Sequence, residues 1–480
     1  MREYSPKRRT AVVFAGSGTT GAYHAGVLRA LDESGVKIDL VVGSGIGAIT
    51  AAFAAVGGGA ALYGKGGLWD GARWARFYRL RPALRVALAL VGLSFAIIAL
   101  PVALGLLLGI AFPLLLIADR VAPGAASRAL SALWVAPEAL SGPYLAAQAL
   151  PVFALAIVAA AVLGLLYWRR RARLAEALES MLDAEPGLRR VRQSLWEIAR
   201  GAALAEAPAS ERELGRRYAA LLAENLGEPG FRELILRVAD LDRGAPLAFE
   251  LLREADEPSA RADHDERVDL RAAGQAELFF DALATGLLLP VALPLRRVTF
   301  PKGAVHAGET HRLTDAALVP GCGIAEAIGA GAEQVVVVTG APEEATPPPR
   351  RRGLLARLDA TLRTLEQQAA AELEATERAN RMVATLGHRA SGRGAWEDPA
   401  TGQVTREVDL WVIRPRRRSL GPAELDGASD PATEVLRTTD DLVEKGFRDA
   451  YGQFIEPVVG QSPLPEREEG KYRDSQAVSL

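Results

Sequence analysis

The chain has 480 residues, of which 49% are hydrophobic and 24% are charged, so it can build a large folded core and is not a disordered protein. The formal net charge of −2 argues against nucleic acid as a partner, and the single cysteine excludes disulfide frameworks and cysteine-based metal clusters. The five histidines show no metal-ligand spacing such as H-E-x-x-H, so we expect no metal and no cofactor.

Two strand–turn–helix units open the chain. The first predicts a buried strand over 10–15, a glycine-rich turn over 16–21 and a helix over 22–34. The second predicts a strand over 38–42, a turn over 43–47 and a helix of small residues from Ala48. This alternation predicts an α/β fold with three layers and a parallel sheet.

The first turn, Gly16-x-Gly18-x-x-Gly21, has the spacing of a dinucleotide-binding fingerprint. That fingerprint also requires an acidic residue at the end of the second strand, where it binds the ribose. Here Asp39 lies at the start of that strand, and the strand ends in another glycine-rich turn. The sequence therefore disfavours nucleotide binding.

Two long segments without charged residues, 86–118 and 139–168, account for the mean hydropathy of +0.10. About 20 apolar residues are enough to cross a bilayer. We therefore expect a transmembrane helical hairpin with spans at about 86–118 and 145–168. Two alternatives remain open, a re-entrant bend at Pro101 and a hairpin buried in a soluble core.

Arginines indicate the orientation of these two segments. They are dense before residue 86 and after residue 168, whereas only Arg120 and Arg128 lie between the segments. Regions rich in Lys and Arg stay cytoplasmic, so we expect a multi-pass protein with both termini in the cytoplasm, typical of the bacterial inner membrane. The first apolar segment starts too far from Met1 for a cleaved secretory signal.

Three motifs together resemble the patatin-like phospholipase family. Residues 14–28 match its glycine-rich oxyanion loop and the helix that follows, and 38–49 match the strand that ends in its G-x-S-x-G nucleophile elbow. Residues 309–320 resemble its downstream D-G-[GA] turn, which carries the catalytic aspartate. The resemblance covers 10–60 and roughly 230–340, and it implies the fold of a lipid acyl hydrolase with a Ser–Asp dyad.

The resemblance assigns a role to each matched residue. Asp315 falls on the catalytic base, and the oxyanion loop comprises Gly16, Ser17, Gly18 and Gly21. The elbow comprises Gly43, Ser44 and Gly47 around the nucleophile position, which is Gly45 instead of serine. Glycine keeps such a turn but supplies no attacking oxygen, so the resemblance implies a membrane-anchored protein of lipid metabolism whose catalysis is lost or strongly altered.

Several alternatives to this inactive site stay open. Ser44, Ser17 or a water activated by Asp315 would each supply an oxygen and make an active acyl hydrolase. Ser44 should point away from Asp315, because adjacent side chains on a strand face opposite sides. Asp315 itself could simply cap a turn. The expected partner is a membrane lipid or an acyl ester, and the sequence does not indicate an oligomeric state.

The domain organisation follows from these motifs. We predict the two parts of the patatin-like domain over 1–80 and 226–345, separated by the membrane insertion over 81–173 and a helical connection over 174–225. A C-terminal helical region follows over 346–480. It includes a long helix over 354–386, a strand over 408–413 and a helix over 435–454.

Overall fold

The computed structural model describes residues 3–18, 20–71, 77–80, 182–201, 210–253, 266–289, 295–343, 354–386, 395–397, 404–416 and 438–460, with a few isolated positions between these ranges. Within this described part, no helix combines the length and the apolar character needed to cross a bilayer. The expected spans at about 86–118 and 145–168 lie almost entirely outside the described residues.

The chain divides into two compact units, one formed by residues 1–79 and 184–480 and the other by residues 80–183. The described elements up to β7 are β1 (Thr10–Gly16), α1 (Thr20–Glu33), β2 (Leu40–Gly45), α2 (Gly47–Ala55), α3 (Ala60–Tyr63), β3 (Arg79–Leu80), β4 (Leu182–Asp183), α4 (Glu185–Arg200), α5 (Glu211–Asn225), β5 (Glu233–Asp240), β6 (Ala245–Leu251) and β7 (Glu266–Asp269). They are followed by α6 (Phe279–Thr285), β8 (Arg296–Thr299), β9 (Thr310–Asp315), α7 (Ile324–Gly329), β10 (Gln334–Thr339), α8 (Leu354–Leu386), β11 (Ala395–Glu397), β12 (Val404–Arg406), β13 (Asp409–Ile413), α9 (Thr439–Ala450) and a π-helix (Tyr451–Val459).

The central sheet has the strand order β13-β10-β1-β2-β5-β6-β7. The first five of these strands run parallel to one another, and β6 is antiparallel to β5. The short strand β9 pairs with both β5 and β8, antiparallel in each case. The predicted α/β class with a mostly parallel sheet is therefore confirmed.

Helices cover both faces of this sheet. On one face, Val13 and Val42 belong to a buried cluster that also contains Ile324 of α7 and Leu373 of α8. On the other face, Gly43 of β2 lies so close to α2 that an added Cβ would overlap its backbone. The ring of His24 in α1 packs 5.4 Å from the ring of Phe14 on this second face. The layers are thus α7 and α8, the sheet, and α1 and α2.

A buried ion pair joins β5 to α7. The Arg237 guanidinium donates to the Glu326 carboxylate at 2.5 Å, and both side chains are 3% exposed. The same guanidinium donates to the carbonyls of Pro320 and Gly321. Because the buried guanidinium is satisfied by Glu326 and by these two carbonyls, the pair fixes the segment that follows Asp315.

The carboxylate of Glu372 ties α8 to the start of α7. It accepts hydrogen bonds from the backbone N–H groups of Cys322, Gly323 and Ala325. Backbone donors at the beginning of a helix have no partner within the helix, and a carboxylate satisfies them. The long helix α8 is therefore held against the segment after Asp315 at a defined position.

Helices α1 and α9 are in direct backbone contact. An added Cβ at Gly26 would overlap Val443 O, and one at Gly446 would overlap Tyr23 O. Beside this contact, the Tyr23 hydroxyl lies 3.0 Å from Asp449 Oδ2. A side chain at either glycine would therefore push the two helices apart.

The replacement Gly446→Ala tests this contact. We expect it to lower the free energy of unfolding by about 1–3 kcal/mol, because overpacking forces the two helices to separate. The matched control is Gly452→Ala, since an added Cβ at Gly452 meets no other atom within 4 Å. Urea unfolding of both variants measures the difference, and equal losses in the two would contradict the close contact.

Candidate functional site

The topology of β5 brings Asp315 beside the end of β2. The first half of β5 pairs in parallel with β2, ending at Ser44 opposite Arg237. The second half pairs antiparallel with β9, beginning at Val238 opposite Asp315. Along the same edge of β5, pairing with β2 ends at Arg237 and pairing with β9 begins at Val238. Asp315 and Gly45 are therefore neighbours in space, although they are 270 positions apart in the sequence.

Gly45 has no room for a side chain. Its φ of +62° lies in the left-handed region, where glycine is favoured. An added Cβ would overlap Gly16 O and would lie 2.7 Å from Asp315 Oδ1. The carboxyl group of Asp315 thus fills the space in which a nucleophile at residue 45 would begin.

The outer glycines of the elbow are equally constrained. An added Cβ at Gly43 would overlap the backbone of Ala48, and one at Gly47 would overlap Phe14 O. In the oxyanion loop, Gly21 packs against the Trp69 ring in the same way. These glycines permit close approaches between β1, β2 and α2, which keeps the elbow shape without its central side chain.

The predicted oxyanion loop is paired with the elbow. The sequence predicts a strand over 38–42 and a turn from Gly43, but β2 continues to Gly45 because its ladder with β1 extends to the pair Gly16 and Gly45. As a result, the N–H of Ile46 donates to Gly16 O at 2.9 Å. In a nucleophile elbow, the N–H that follows the nucleophile is a donor to the oxyanion. Here the loop's own carbonyl accepts from it.

Other donors of the loop also bond within it. The N–H of Thr20 donates to Ser17 O and that of Gly21 donates to Gly18 O, both at 3.4 Å. The Thr20 hydroxyl donates to Ser17 O at 3.1 Å. Thr20 stands where the family has a basic residue, so this position supplies a loop hydrogen bond instead of a positive charge.

Asp315 is fully buried, and its two oxygens differ. Oδ1 accepts a hydrogen bond from the N–H of Ala317 at 2.8 Å, whereas Oδ2 has no hydrogen-bond partner among the described residues. Burial raises the pKa of Asp315 to about 8, and the Ala317 N–H opposes this only in part. At pH 7 the carboxyl is therefore mostly protonated, and the ionised fraction that could accept a proton increases as the pH rises towards 8.

Tyr78 and His24 are further buried polar groups of this unit. Burial, and then the nearby Asp315 carboxyl, raises the pKa of Tyr78, whose hydroxyl donates to Leu287 O at 3.1 Å. Burial lowers the pKa of His24 to about 3, partly offset by the backbone of Ala15. His24 is thus a neutral ring at pH 7 that packs on Phe14.

Ser44 faces away from Asp315. It lies opposite Arg237 in the ladder, so the two side chains share one face of the sheet, and Arg237 reaches Glu326 on the α7 side. Asp315 lies opposite Val238, whose side chain faces the other way. Ser17 is buried within the loop. The assigned roles of Asp315, Gly45 and the loop residues remain predictions from the resemblance.

A second cluster of polar side chains lies outside the predicted site. Asp240, His306 and His311 are all buried, and one ligand atom of each lies within 4.8 Å of the other two. The sequence does not predict this cluster, because Asp240 is far from both histidines in sequence and the histidines lack a standard ligand spacing. The feature of the sequence that indicates the cluster is the His-x4-His spacing of His306 and His311 at the start of β9, a strand that pairs with β5.

One family model matches the N-terminal part of the chain. The family model of the patatin-like phospholipases matches residues 12–104, which confirms the resemblance of this chain to that family. Among solved structures, VipD from Legionella pneumophila aligns over 94% of this chain and 66% of its own length, with 10% sequence identity and a TM-score of 0.29. The chain thus spans about two thirds of the length of that structure. No curated protein matches the sequence.

The pKa of Asp315 makes a testable contribution to stability. An unfolded aspartate titrates near pH 3.9, whereas Asp315 in the folded chain titrates at about 8. Between these values the folded chain holds the extra proton, so this contribution to stability is full below pH 4 and is lost as the pH rises to about 8. We expect the unfolding free energy of the wild type, relative to Asp315→Asn, to fall by about 1 kcal/mol per pH unit from pH 5 to pH 8.

Urea unfolding at several pH values measures this slope. The control is Asp242→Asn, because Arg312 lowers the pKa of the exposed Asp242 and this carboxylate does not titrate between pH 5 and pH 8. If the unfolding free energy of the wild type relative to Asp315→Asn does not change between pH 5 and pH 8, Asp315 is ionised in the folded chain.

Proposed function

We propose that this chain is a membrane-anchored, patatin-like protein of lipid metabolism that binds a lipid acyl ester without hydrolysing it. The observation that carries the proposal is the position of the Asp315 carboxyl group, which lies where a side chain at residue 45 would begin. The patatin-like phospholipase resemblance supplies the ligand class, since that family acts on lipid esters.

Three features of this site oppose the serine hydrolase reaction. Without an attacking oxygen at Gly45, no acyl-enzyme forms. The Ile46 N–H, which would stabilise the oxyanion, donates to Gly16 O. Because the pKa of Asp315 is raised to about 8, only a minor fraction of this carboxyl group is ionised and able to accept a proton at pH 7. Restoring one of these groups alone therefore does not restore the reaction.

The membrane anchor is the part of the proposal that rests on sequence. Residues 86–118 and 145–168 contain no charged side chain, and arginines flank them on their outer sides. Two spans in this arrangement leave both termini in the cytoplasm and hold the patatin-like domain at the surface of the bilayer, where lipid esters are.

The competing candidate is an acyl hydrolase in which Asp315 activates a water or a displaced nucleophile. It is favoured by Asp315 Oδ2, a buried oxygen that has no hydrogen-bond partner among the described residues. Since the pKa of Asp315 is raised to about 8, such an activity would increase with pH and level off above about that value. Background hydrolysis by hydroxide keeps rising with pH, so the plateau distinguishes the two.

Ester hydrolysis by the full-length protein in detergent tests the proposal. We expect the wild type and Asp315→Ala to hydrolyse a phospholipid and a nitrophenyl ester at the same background rate between pH 7 and pH 9. We also expect the wild type to bind a pyrene-labelled phospholipid under the same conditions. Turnover that Asp315→Ala abolishes would establish the hydrolase, and absence of lipid binding would refute the binding role.

Gly45→Ser tests the shape of the elbow. We expect this variant to remain inactive and to lose about 1–3 kcal/mol of stability, because the new Cβ overlaps Gly16 O and residue 45 has a left-handed φ. Gly45→Ala is the matched control, since it adds the same Cβ without the hydroxyl and should lose the same stability. Hydrolysis by Gly45→Ser alone would show that the loop and Asp315 rearrange readily.

Reporter fusions test the anchor. Alkaline phosphatase, which is active only after export, is expected to be active when fused after residue 130 and inactive when fused after residue 200. This follows because residue 130 lies between the two proposed spans and residue 200 lies beyond both. An inactive fusion at residue 130, with intact expression, would eliminate the two-span anchor.

A further inference from the structure

Two histidines and a carboxylate meet at the far end of β9 from the elbow. Asp240 is the last residue of β5, His311 is the second residue of β9, and His306 lies in the loop that joins β8 to β9. Their residue exposures are 1%, 5% and 5% in the order Asp240, His306 and His311. One nitrogen or oxygen of each lies within 4.8 Å of the other two, so a single ion could contact all three after a small adjustment.

The Asp240 carboxylate is oriented by its own turn. Oδ1 accepts hydrogen bonds from the N–H of Asp242 at 3.0 Å and the N–H of Arg243 at 3.3 Å. This leaves Oδ2 directed at His311, where it contacts Nδ1. A carboxylate with one oxygen fixed by backbone donors and the other directed into the cluster is a preformed monodentate ligand.

His311 is oriented from both sides of its ring. Its Nδ1 faces Asp240, and its Nε2 lies 2.9 Å from Oε2 of Glu309. Histidines that bind metal through one nitrogen usually donate the other ring N–H to a carboxylate, which fixes the ring and raises its basicity. Glu309 therefore has the position of such an outer partner if Nδ1 binds the ion.

The second histidine is held by packing and by the loop backbone. The rings of His306 and His311 are 4.5 Å apart, and Phe300 contacts both edge-on at 5.4 and 5.2 Å. The loop is closed by Phe300 N–H to Glu309 O, Gly308 N–H to Phe300 O and Glu309 N–H to His306 O, each at 3.0 Å. Both imidazole groups are thus presented by a fixed hairpin.

We propose that Asp240, His306 and His311 bind a divalent transition metal ion, zinc in the first instance, with Glu309 positioning His311. Two imidazole nitrogens and one carboxylate oxygen suit Zn²⁺, whereas Mg²⁺ and Ca²⁺ prefer oxygen ligands alone. Three protein ligands leave a fourth tetrahedral position for water.

The ion would stabilise the fold and would take no part in chemistry at the elbow. His311 and Asp315 lie on the same face of β9, four residues apart, which corresponds to about 13 Å along a strand. The site therefore joins the end of β5, the start of β9 and the loop between β8 and β9 without touching Asp315. It does not depend on whether the elbow binds or cleaves lipid.

Metal binding by the purified full chain tests this site. After removal of metals with a chelator, Zn²⁺ titrated alone in a calorimeter is expected to bind with a stoichiometry of one per chain. Zn²⁺ at one hundred times its Kd should raise the melting temperature by roughly 3–4 °C. Co²⁺ in place of Zn²⁺ should give the visible absorption of a tetrahedral site with histidine ligands.

Four variants assign the binding to these residues. His306→Gln and Asp240→Asn remove ligands and should abolish both the stoichiometric binding and the thermal shift. Glu309→Gln should weaken binding by about 10–100-fold, as expected for an outer partner. The matched control is Phe300→Leu, which alters the packing of both rings but removes no ligand and should bind with unchanged stoichiometry.

The alternative is a metal-free hydrogen-bonded network in which His311 bridges Asp240 and Glu309. Absence of stoichiometric binding by the wild type, or binding that His306→Gln and Asp240→Asn leave unchanged, would overturn the metal site in favour of that network. If a ligand variant fails to fold, the Co²⁺ spectrum and thermal shift of the wild type still decide between the two.

Discussion

The absence of a side chain at residue 45 allows two strands and a buried carboxyl group to meet in one place. With no Cβ at Gly45, the carbonyl of Gly16 approaches β2 and accepts the N–H of Ile46, so the ladder between β1 and β2 extends into the elbow. Asp315 then closes over the same position from β9. A side chain there would separate all three groups, so the local backbone, the burial of Asp315 and its raised pKa have a common origin.

Two interactions outside the site hold Asp315 at this position. They are the buried ion pair between Arg237 and Glu326 and the hydrogen bonds that the Glu372 carboxylate accepts at the start of α7. Arg237 fixes the carbonyls that follow the Asp315 turn, and Glu372 binds the backbone amides at the start of α7. Removing one partner of a buried pair leaves an uncompensated charge, which costs about 3–5 kcal/mol. These contacts hold the turn beside Gly45, although among the described residues the Asp315 carboxyl group accepts only the hydrogen bond from the Ala317 N–H.

The sequence predicts three parallel strands of the central sheet because these strands are apolar. The strands predicted over 10–15, 38–42 and 408–413 correspond to β1, β2 and β13. The sequence analysis does not predict β6 or β9, since both carry polar residues whose partners are distant in sequence. Glu250 of β6 pairs with Arg267 of β7, and His311 of β9 pairs with Asp240. The elbow glycines and Asp315 are predicted through the resemblance to the family's motifs, but the pairing of the Ile46 N–H and the raised pKa of Asp315 depend on packing and burial that the motifs do not encode.

The strand order also has a consequence for how the chain folds. Strand β1 lies between β2, which follows it closely, and β10, which is synthesised about three hundred residues later. One edge of β1 therefore stays unpaired while the whole of residues 80–183 is made, and unpaired apolar edges associate readily with other chains. Helix α1 likewise lacks its packing partner until α9 has been synthesised. Long-range contacts of this kind slow folding, so the nascent N-terminal segment would depend on protection of its apolar strand until β10 emerges.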